Sequence, residues 1–159
     1  MLSALLSLLI GALSYFLSSS LRGYKRRTLS LCEEIYALLL HIKLEVSCYL
    51  RPVGEILKGY SSPMLEEIGF LPVARREGLS RALVECADCR LSSEEVRLLS
   101  SLFSSLGTGY AREEIKLMEG VAQEFSRLLK ERRSLIAKDI KLINTLCASA
   151  ALGTLILLI

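Results

Sequence analysis

The two ends of the chain carry no charged residue, and this constrains the fold more than any other feature. Residues 1–21 and 142–159 lack Asp, Glu, Lys and Arg and are rich in leucine, isoleucine and alanine. About 20 apolar residues in a helix span a hydrocarbon core of about 30 Å. The sequence therefore predicts a transmembrane helix over 1–21, a second over 142–159, and one domain over 22–141 between them.

A cleaved signal peptide is the alternative interpretation of residues 1–21. Signal peptides carry positive charge before the apolar segment and small residues at the cleavage site. Here the positive charge follows the segment, although Ser18, Ser19 and Ser20 supply small residues. The order of charge favours an uncleaved anchor.

Basic residues cluster where each predicted span meets the central domain. These juxtamembrane anchors are Arg22, Lys25, Arg26, Arg27, Arg132, Arg133, Lys138 and Lys141. Basic residues close to the ends of spans stay on the cytoplasmic side of a membrane. We therefore expect a two-span membrane protein with a cytoplasmic central domain and both termini on the opposite side.

The formal net charge of +3 hides an acidic centre. Residues 28–126 hold ten basic and fifteen acidic residues, so the positive charge belongs to the membrane flanks. Such a distribution is typical of a protein in contact with membrane lipid. It gives no support for nucleic-acid binding, which needs a basic patch on the folded domain.

Helical patterns account for the central domain. Apolar residues recur every three or four positions over 28–51, which predicts an amphipathic helix. A short helix follows over 53–59, and Ser92 with Glu95 forms a capping box that opens another. Glycines at 107 and 109 end that helix, and a last helix runs from about 110 towards the second span. The predicted fold is all-α, a helical bundle flanked by N-terminal and C-terminal transmembrane helices, in which the helices at 28–51 and 110–141 pack together.

The region from 64 to 89 is less regular. Phe70 belongs to a short apolar patch before Pro72, and a further helix is expected around Leu79 to Cys86. The paired glutamates along the chain, Glu94 and Glu95 among them, are interpreted as solvated faces and first-turn charges.

Residues for catalysis are sparse, so the chain is predicted not to be an enzyme and to hold no cofactor or metal. There is no phosphate-binding loop motif, and the single histidine, His41, lies between apolar neighbours without a nucleophile elbow elsewhere. Cys86 and Cys89 form a C-x-x-C motif, which suits a redox pair or half a zinc site. No second ligand pair at zinc spacing accompanies it, so a membrane-tethered thiol or metal protein remains the minor alternative.

Three segments, taken in order, resemble one known family. In the first, Glu45 and Tyr49 precede Pro52 and a short amphipathic helix. In the second, Leu106 and Gly107 form a glycine turn ahead of acidic residues; the third is the charged segment from Glu131 to Lys138 that leads into the apolar tail. Together with the length and the two-span layout, they resemble the stage III sporulation protein AB family of endospore-forming bacteria.

The resemblance implies a membrane component of the assembly that joins mother cell and forespore during sporulation. The central domain of that family is similar to the cytoplasmic helical domain of platform proteins in type II secretion and type IV pilus systems. By analogy, the chain would be a scaffold or adaptor in the mother-cell membrane. Its partners would be other membrane proteins of the complex, a cytoplasmic assembly ATPase and further copies of itself. A platform protein of a secretion or pilus system outside sporulation is the alternative.

Overall fold

The computed structural model describes the backbone of residues 2–86, 90–106 and 111–156. Across these ranges it contains seven α-helices and no strand, which confirms the all-α prediction. The helices are α1 (Leu2–Tyr49), α2 (Val53–Gly59), α3 (Pro63–Glu67), α4 (Phe70–Glu77), α5 (Leu79–Glu85), α6 (Ser93–Ser105) and α7 (Ala111–Ile156).

The helices divide into two compact units. A terminal unit is built from residues 1–27 and 132–159, and a central unit from residues 28–131. Helices α1 and α7 each contribute residues to both units. The predicted amphipathic helix at 28–51 is therefore the second half of a longer helix, because no proline or turn interrupts the chain before Tyr49.

The core of the central unit takes side chains from all seven helices, and α1 packs against α7 within it, as predicted. The apolar stripe of α1 is fully buried at Leu31, Ile35 and Ile42. The Tyr36 ring stacks on the buried Phe125 ring of α7, with centroids 5.9 Å apart and planes 5° from parallel. A stripe with helical spacing therefore marks the core face of this helix.

The short helices α3 and α4 were not predicted, and both carry proline near their start. Pro63 opens α3 directly after Ser62, whose hydroxyl accepts a hydrogen bond from the Leu65 N–H at 3.4 Å. Pro72 is the third residue of α4 and does not mark its end. A helix tolerates proline in the first turn because the N–H groups there have no partner within the helix.

The capping box at the start of α6 is confirmed, but the interpretation of Glu95 as a solvated charge was wrong. Its carboxylate accepts a hydrogen bond from the Ser92 N–H at 2.7 Å, and its side chain is only 2 % exposed. The other carboxylate oxygen accepts a hydrogen bond from the Cys32 thiol of α1 at 3.3 Å. The cap of α6 is thus also a contact with α1, which explains why this glutamate is buried.

Within the described residues, no helix combines the length and the hydropathy needed to cross a bilayer. Both predicted transmembrane segments extend beyond those residues. The side chains of 1–10, and of most positions from 151 to 159, lie outside the described part of the chain. Gly107 and Cys89 lie outside it as well.

Candidate interaction surfaces

Polar side chains join α1 to α7 inside the terminal unit. Three cross-helix contacts form a ladder, pairing Ser18 with Cys147, Arg22 with Asn144, and Lys25 with Asp139. Residue numbers rise along α1 as they fall along α7, so the two helices are antiparallel here. The Arg22 guanidinium donates to the Asn144 amide oxygen at 2.8 Å, and it also donates to the Ser18 carbonyl.

Charge stops at nearly the same level on the two paired helices. Arg22 is the first charged residue of α1, and Lys141 is the last of α7. The partner of Arg22 lies three residues beyond Lys141, which corresponds to roughly 5 Å along the helix axis. Beyond this level the described residues of both helices are uncharged. The sequence shows this for each helix, and the contact between Arg22 and Asn144 brings the two uncharged segments side by side.

Six of the eight predicted anchors lie at similar heights along the two helices, on the charged side of this level. We call them the basic collar: Arg22, Lys25, Arg26, Arg27, Lys138 and Lys141. Residues 22 to 27 cover roughly 8 Å of helix, and the Lys25–Asp139 contact brings the α7 members alongside them. The other two anchors, Arg132 and Arg133, lie more than a turn before Lys138 along α7.

The ladder makes a cross-linking prediction. Ser18 Oγ lies 2.5 Å from Cys147 Sγ, so we expect Ser18→Cys to form a disulfide with Cys147 under mild oxidation. Mass spectrometry after alkylation should then find two fewer reactive thiols than in the reduced variant. Ser20→Cys is the matched control, because Ser20 is exposed two residues further along the helix and should stay reduced. Equal oxidation of both variants would contradict the ladder.

A second candidate surface lies at the end of α1, where two of the family-motif positions meet. The Glu45 carboxylate pairs with the Arg51 guanidinium at 3.1 Å, and that guanidinium lies 5.5 Å from the centre of the Tyr49 ring. Tyr49 and Leu50 are 63 % and 72 % exposed. We call residues 45–51 the α1 tip. Sequence reasoning missed Arg51, which connects the two motif residues.

Leu50 at the tip has a φ of +52°, in the left-handed region. A leucine there costs roughly 1–2 kcal/mol relative to glycine, since its Cβ crowds the backbone. We therefore expect Leu50→Gly to raise the free energy of unfolding of the central unit by about 1 kcal/mol, as measured by chemical denaturation.

Leu44→Gly is the control for that variant, because Leu44 is also exposed but lies inside α1. Glycine in a helix interior should lower stability by roughly 1 kcal/mol. The change in the free energy of unfolding should therefore have opposite signs in the two variants. A loss of stability in both would refute strain at Leu50.

Two further motif positions, Pro52 and Leu106, lie at or next to one pocket of the central unit. This pocket, of about 350 Å³, lies between α2, the α4–α5 junction and α6, and its lining includes Val53, Leu57 and Leu106. Pro52 directly precedes Val53 and is the N-cap of α2. The sequence motifs at Pro52 and Leu106 therefore come together in space, although they lie more than fifty residues apart.

The most prominent cation at the pocket already has partners within the fold. Arg75 donates to the carbonyl oxygens of Leu57 and Tyr60 at 2.9 and 2.6 Å, and it pairs with the Glu66 carboxylate at 2.8 Å. These contacts satisfy the carbonyl groups at the end of α2. Arg75 is therefore a structural residue, and the pocket offers mainly apolar surface.

The Cys86 thiol and the His41 ring both make contacts within the fold. The Cys86 thiol is buried and donates to the Ile68 carbonyl at 3.0 Å. The His41 ring lies 5.1 Å from the Tyr60 ring, and burial, followed by the negative charge of Glu34, raises the pKa of the Tyr60 phenol. Among the residues that the structure describes, no group of three or more His, Cys, Asp or Glu side chains is placed to hold a metal ion.

The class that the described residues define is an all-α helical bundle. No protein-family model, no curated protein and no solved structure matches the chain. The features of the chain that bear on function are the collar, the α1 tip and the pocket.

Proposed function

We propose that this chain is a non-enzymatic membrane scaffold of the complex that joins mother cell and forespore during sporulation. The observation that supports it best is the common level at which charge ends on the paired helices. An antiparallel helix pair that changes from basic to uncharged at one level matches the boundary between headgroups and hydrocarbon. The terminal unit then anchors the chain, and the central unit stands in the mother-cell cytoplasm.

The central unit supplies surfaces for partner proteins. Of the motif positions that resemble the sporulation family, Glu45 and Tyr49 lie at the α1 tip, and Pro52 and Leu106 lie at or next to the pocket. Exposed aromatic and arginine side chains, such as Tyr49 and Arg51, are enriched where proteins bind one another. We infer that the partners are other membrane proteins of the complex and an assembly ATPase.

Reporter fusions test the topology. Alkaline phosphatase, which is active only outside the cytoplasm, should be active when fused after Ile159 and inactive when inserted in the turn at Ser61. β-Galactosidase, which is active inside, should show the reverse pattern at the same two positions. Cytoplasmic activity of a reporter at the C-terminus would refute the two-span arrangement.

Deletion tests the biological role. In the organism that carries this chain, the deletion strain should grow normally, engulf its forespores and then stall before mature spores form. Microscopy and counts of heat-resistant spores under starvation measure this, and re-expression of the wild-type chain should restore the count. Normal spore yield would overturn the sporulation role, and loss of pili or of a secreted protein would instead favour a platform protein.

A further inference from the structure

We propose that the α1 tip is a preformed apolar projection that inserts into an acidic-rimmed pocket of a different protein. Tyr49 and Leu50 fill that pocket, and the Arg51 guanidinium pairs with a carboxylate at its rim. The inference rests on the proposed scaffold function. It adds to that function the residues that make the contact and the chemistry of the surface that receives them.

The tip exposes consecutive apolar side chains at the end of a long helix. Cys48, Tyr49 and Leu50 are all exposed, although α1 buries its apolar stripe up to Val46. Tyrosine and arginine are among the residues that contribute most binding energy at protein interfaces. The tip therefore combines the composition of an interface anchor with access to a partner.

The backbone at Leu50 adopts a conformation that leucine disfavours. Its φ of +52° lies in the left-handed region, where glycine and asparagine are better tolerated. The Leu50 N–H still donates to the Val46 carbonyl at 3.2 Å, so the strained residue is fixed to the end of α1. Backbone strain of this kind concentrates at functional sites. Contact with a partner explains a leucine here, because its side chain gains little burial within the fold.

Arg51 and Glu45 hold the aromatic ring of the tip in place. The guanidinium is bonded to the Glu45 carboxylate at 3.1 Å and lies 5.5 Å from the centre of the Tyr49 ring, which is within the range of a cation–π contact. Side chains that are already ordered lose little conformational entropy when a partner binds. The tip is thus organised for binding before any partner arrives.

The charge that the tip presents to a partner is positive. The Arg51 side chain is 60 % exposed, whereas the Glu45 side chain is only 15 % exposed. Charged groups across an interface are arranged with opposite signs facing each other. The complementary surface therefore carries carboxylates around its apolar centre.

This requirement favours a different protein over a second copy of the chain. Glu77 lines the pocket of the central unit, but its carboxylate already pairs with Arg76 at 2.6 Å and approaches Arg81 at 3.5 Å. An incoming Arg51 would meet those two cations. Two tips facing each other across a two-fold axis would also bring like charges together.

Site-specific photo-cross-linking in sporulating cells tests the contact. Tyr49 is replaced by the photoreactive residue p-benzoylphenylalanine, and the adduct is analysed by mass spectrometry after irradiation. We expect an adduct with a different protein, joined at a peptide that contains Asp or Glu. An adduct of two copies of this chain, an adduct with lipid alone, a joined peptide without acidic residues, or no adduct would each overturn the proposal.

Two tip variants and one control show whether the adduct depends on the proposed contacts. Leu50→Asn removes the apolar side chain and suits the left-handed backbone, and Arg51→Glu reverses the charge. Each should reduce the adduct by at least about tenfold, as expected for loss of an anchor residue. Val84→Asn is the control, because Val84 is equally exposed but lies on α5, and it should keep the wild-type level.

A stability measurement separates lost contact from lost folding. Leu50→Asn should unfold at a denaturant concentration no lower than the wild type, since asparagine tolerates the backbone of the tip. Full adduct with either tip variant, or an equal loss in the Val84→Asn control, would overturn the proposal.

Spore counts of the same strains distinguish failure of this proposal from failure of the proposed function. If deletion of the chain stops spore formation while Leu50→Asn and Arg51→Glu sporulate as the wild type does, the tip is not the contact and the scaffold role stands. If the deletion strain sporulates normally, the scaffold role is overturned and the docking role with it.

Discussion

Phe125→Ala is expected to lower the free energy of unfolding of the central unit by about 3–5 kcal/mol. The Phe125 side chain is completely buried on α7 and stacks on the Tyr36 ring of α1. Removing a buried phenyl ring loses its transfer free energy and leaves a cavity, and that sum is about 3–5 kcal/mol. The stacked pair of rings adds to the loss, because Tyr36 then has no aromatic neighbour on α7.

Chemical denaturation of the full chain in detergent, followed by circular dichroism, measures this effect. Phe16→Ala is the matched control, because Phe16 is 75 % exposed and lies in the terminal unit. The same truncation there should change the stability of the central unit by less than about 0.5 kcal/mol. If the two variants unfold at the same denaturant concentration, Phe125 is not part of the core between α1 and α7.

Glu95→Ala is expected to lower stability by about 2–3 kcal/mol. The substitution removes the carboxylate that caps the Ser92 N–H and accepts from the Cys32 thiol. Loss of the capping bond from the carboxylate costs roughly 1 kcal/mol, and loss of a buried hydrogen bond to a charged group costs roughly 1.5–3 kcal/mol. These two effects act at the same contact between α6 and α1, so they are not fully additive.

The neighbouring glutamate provides the control for Glu95. Glu94 is exposed and approaches Arg127 only to 3.9 Å, so Glu94→Ala should change stability by well under 1 kcal/mol. Glu95→Gln keeps an oxygen that can accept from the Ser92 N–H and should recover part of the loss. Equal melting temperatures for Glu94→Ala and Glu95→Ala would contradict the buried role of Glu95.

Local patterns in the sequence were sufficient to predict the long helical segments and the capping box of α6. The stripe of α1 repeats over several turns, so its buried face is visible before any packing is known. Helices α3 and α4 have only five and eight residues. That length is too short for a clear period, and the prolines at 63 and 72 make both segments resemble turns.

Contacts between side chains far apart in the sequence could not be predicted from it. Glu95 follows another glutamate and therefore resembles a surface residue, and its thiol partner lies 63 positions away. Likewise, the basic anchors were recognised by charge, whereas the ladder partners Asn144 and Cys147 belong to an apolar segment in which polar residues give no pairing signal. The sequence shows where charged residues end on each helix. Only the contact between Arg22 and Asn144 shows that they end at the same height on both helices.

The ladder between α1 and α7 also links the two ends of the chain segment that forms the central unit. Lys25 and Asp139 lie 114 positions apart, so their contact closes the intervening chain into a loop. Closing a loop of that length with a permanent link removes roughly 5 kcal/mol of entropy from the unfolded chain. As long as the terminal helices stay paired, the central helices search for one another as a tethered loop, and their fold is more stable than the same helices would be with free ends.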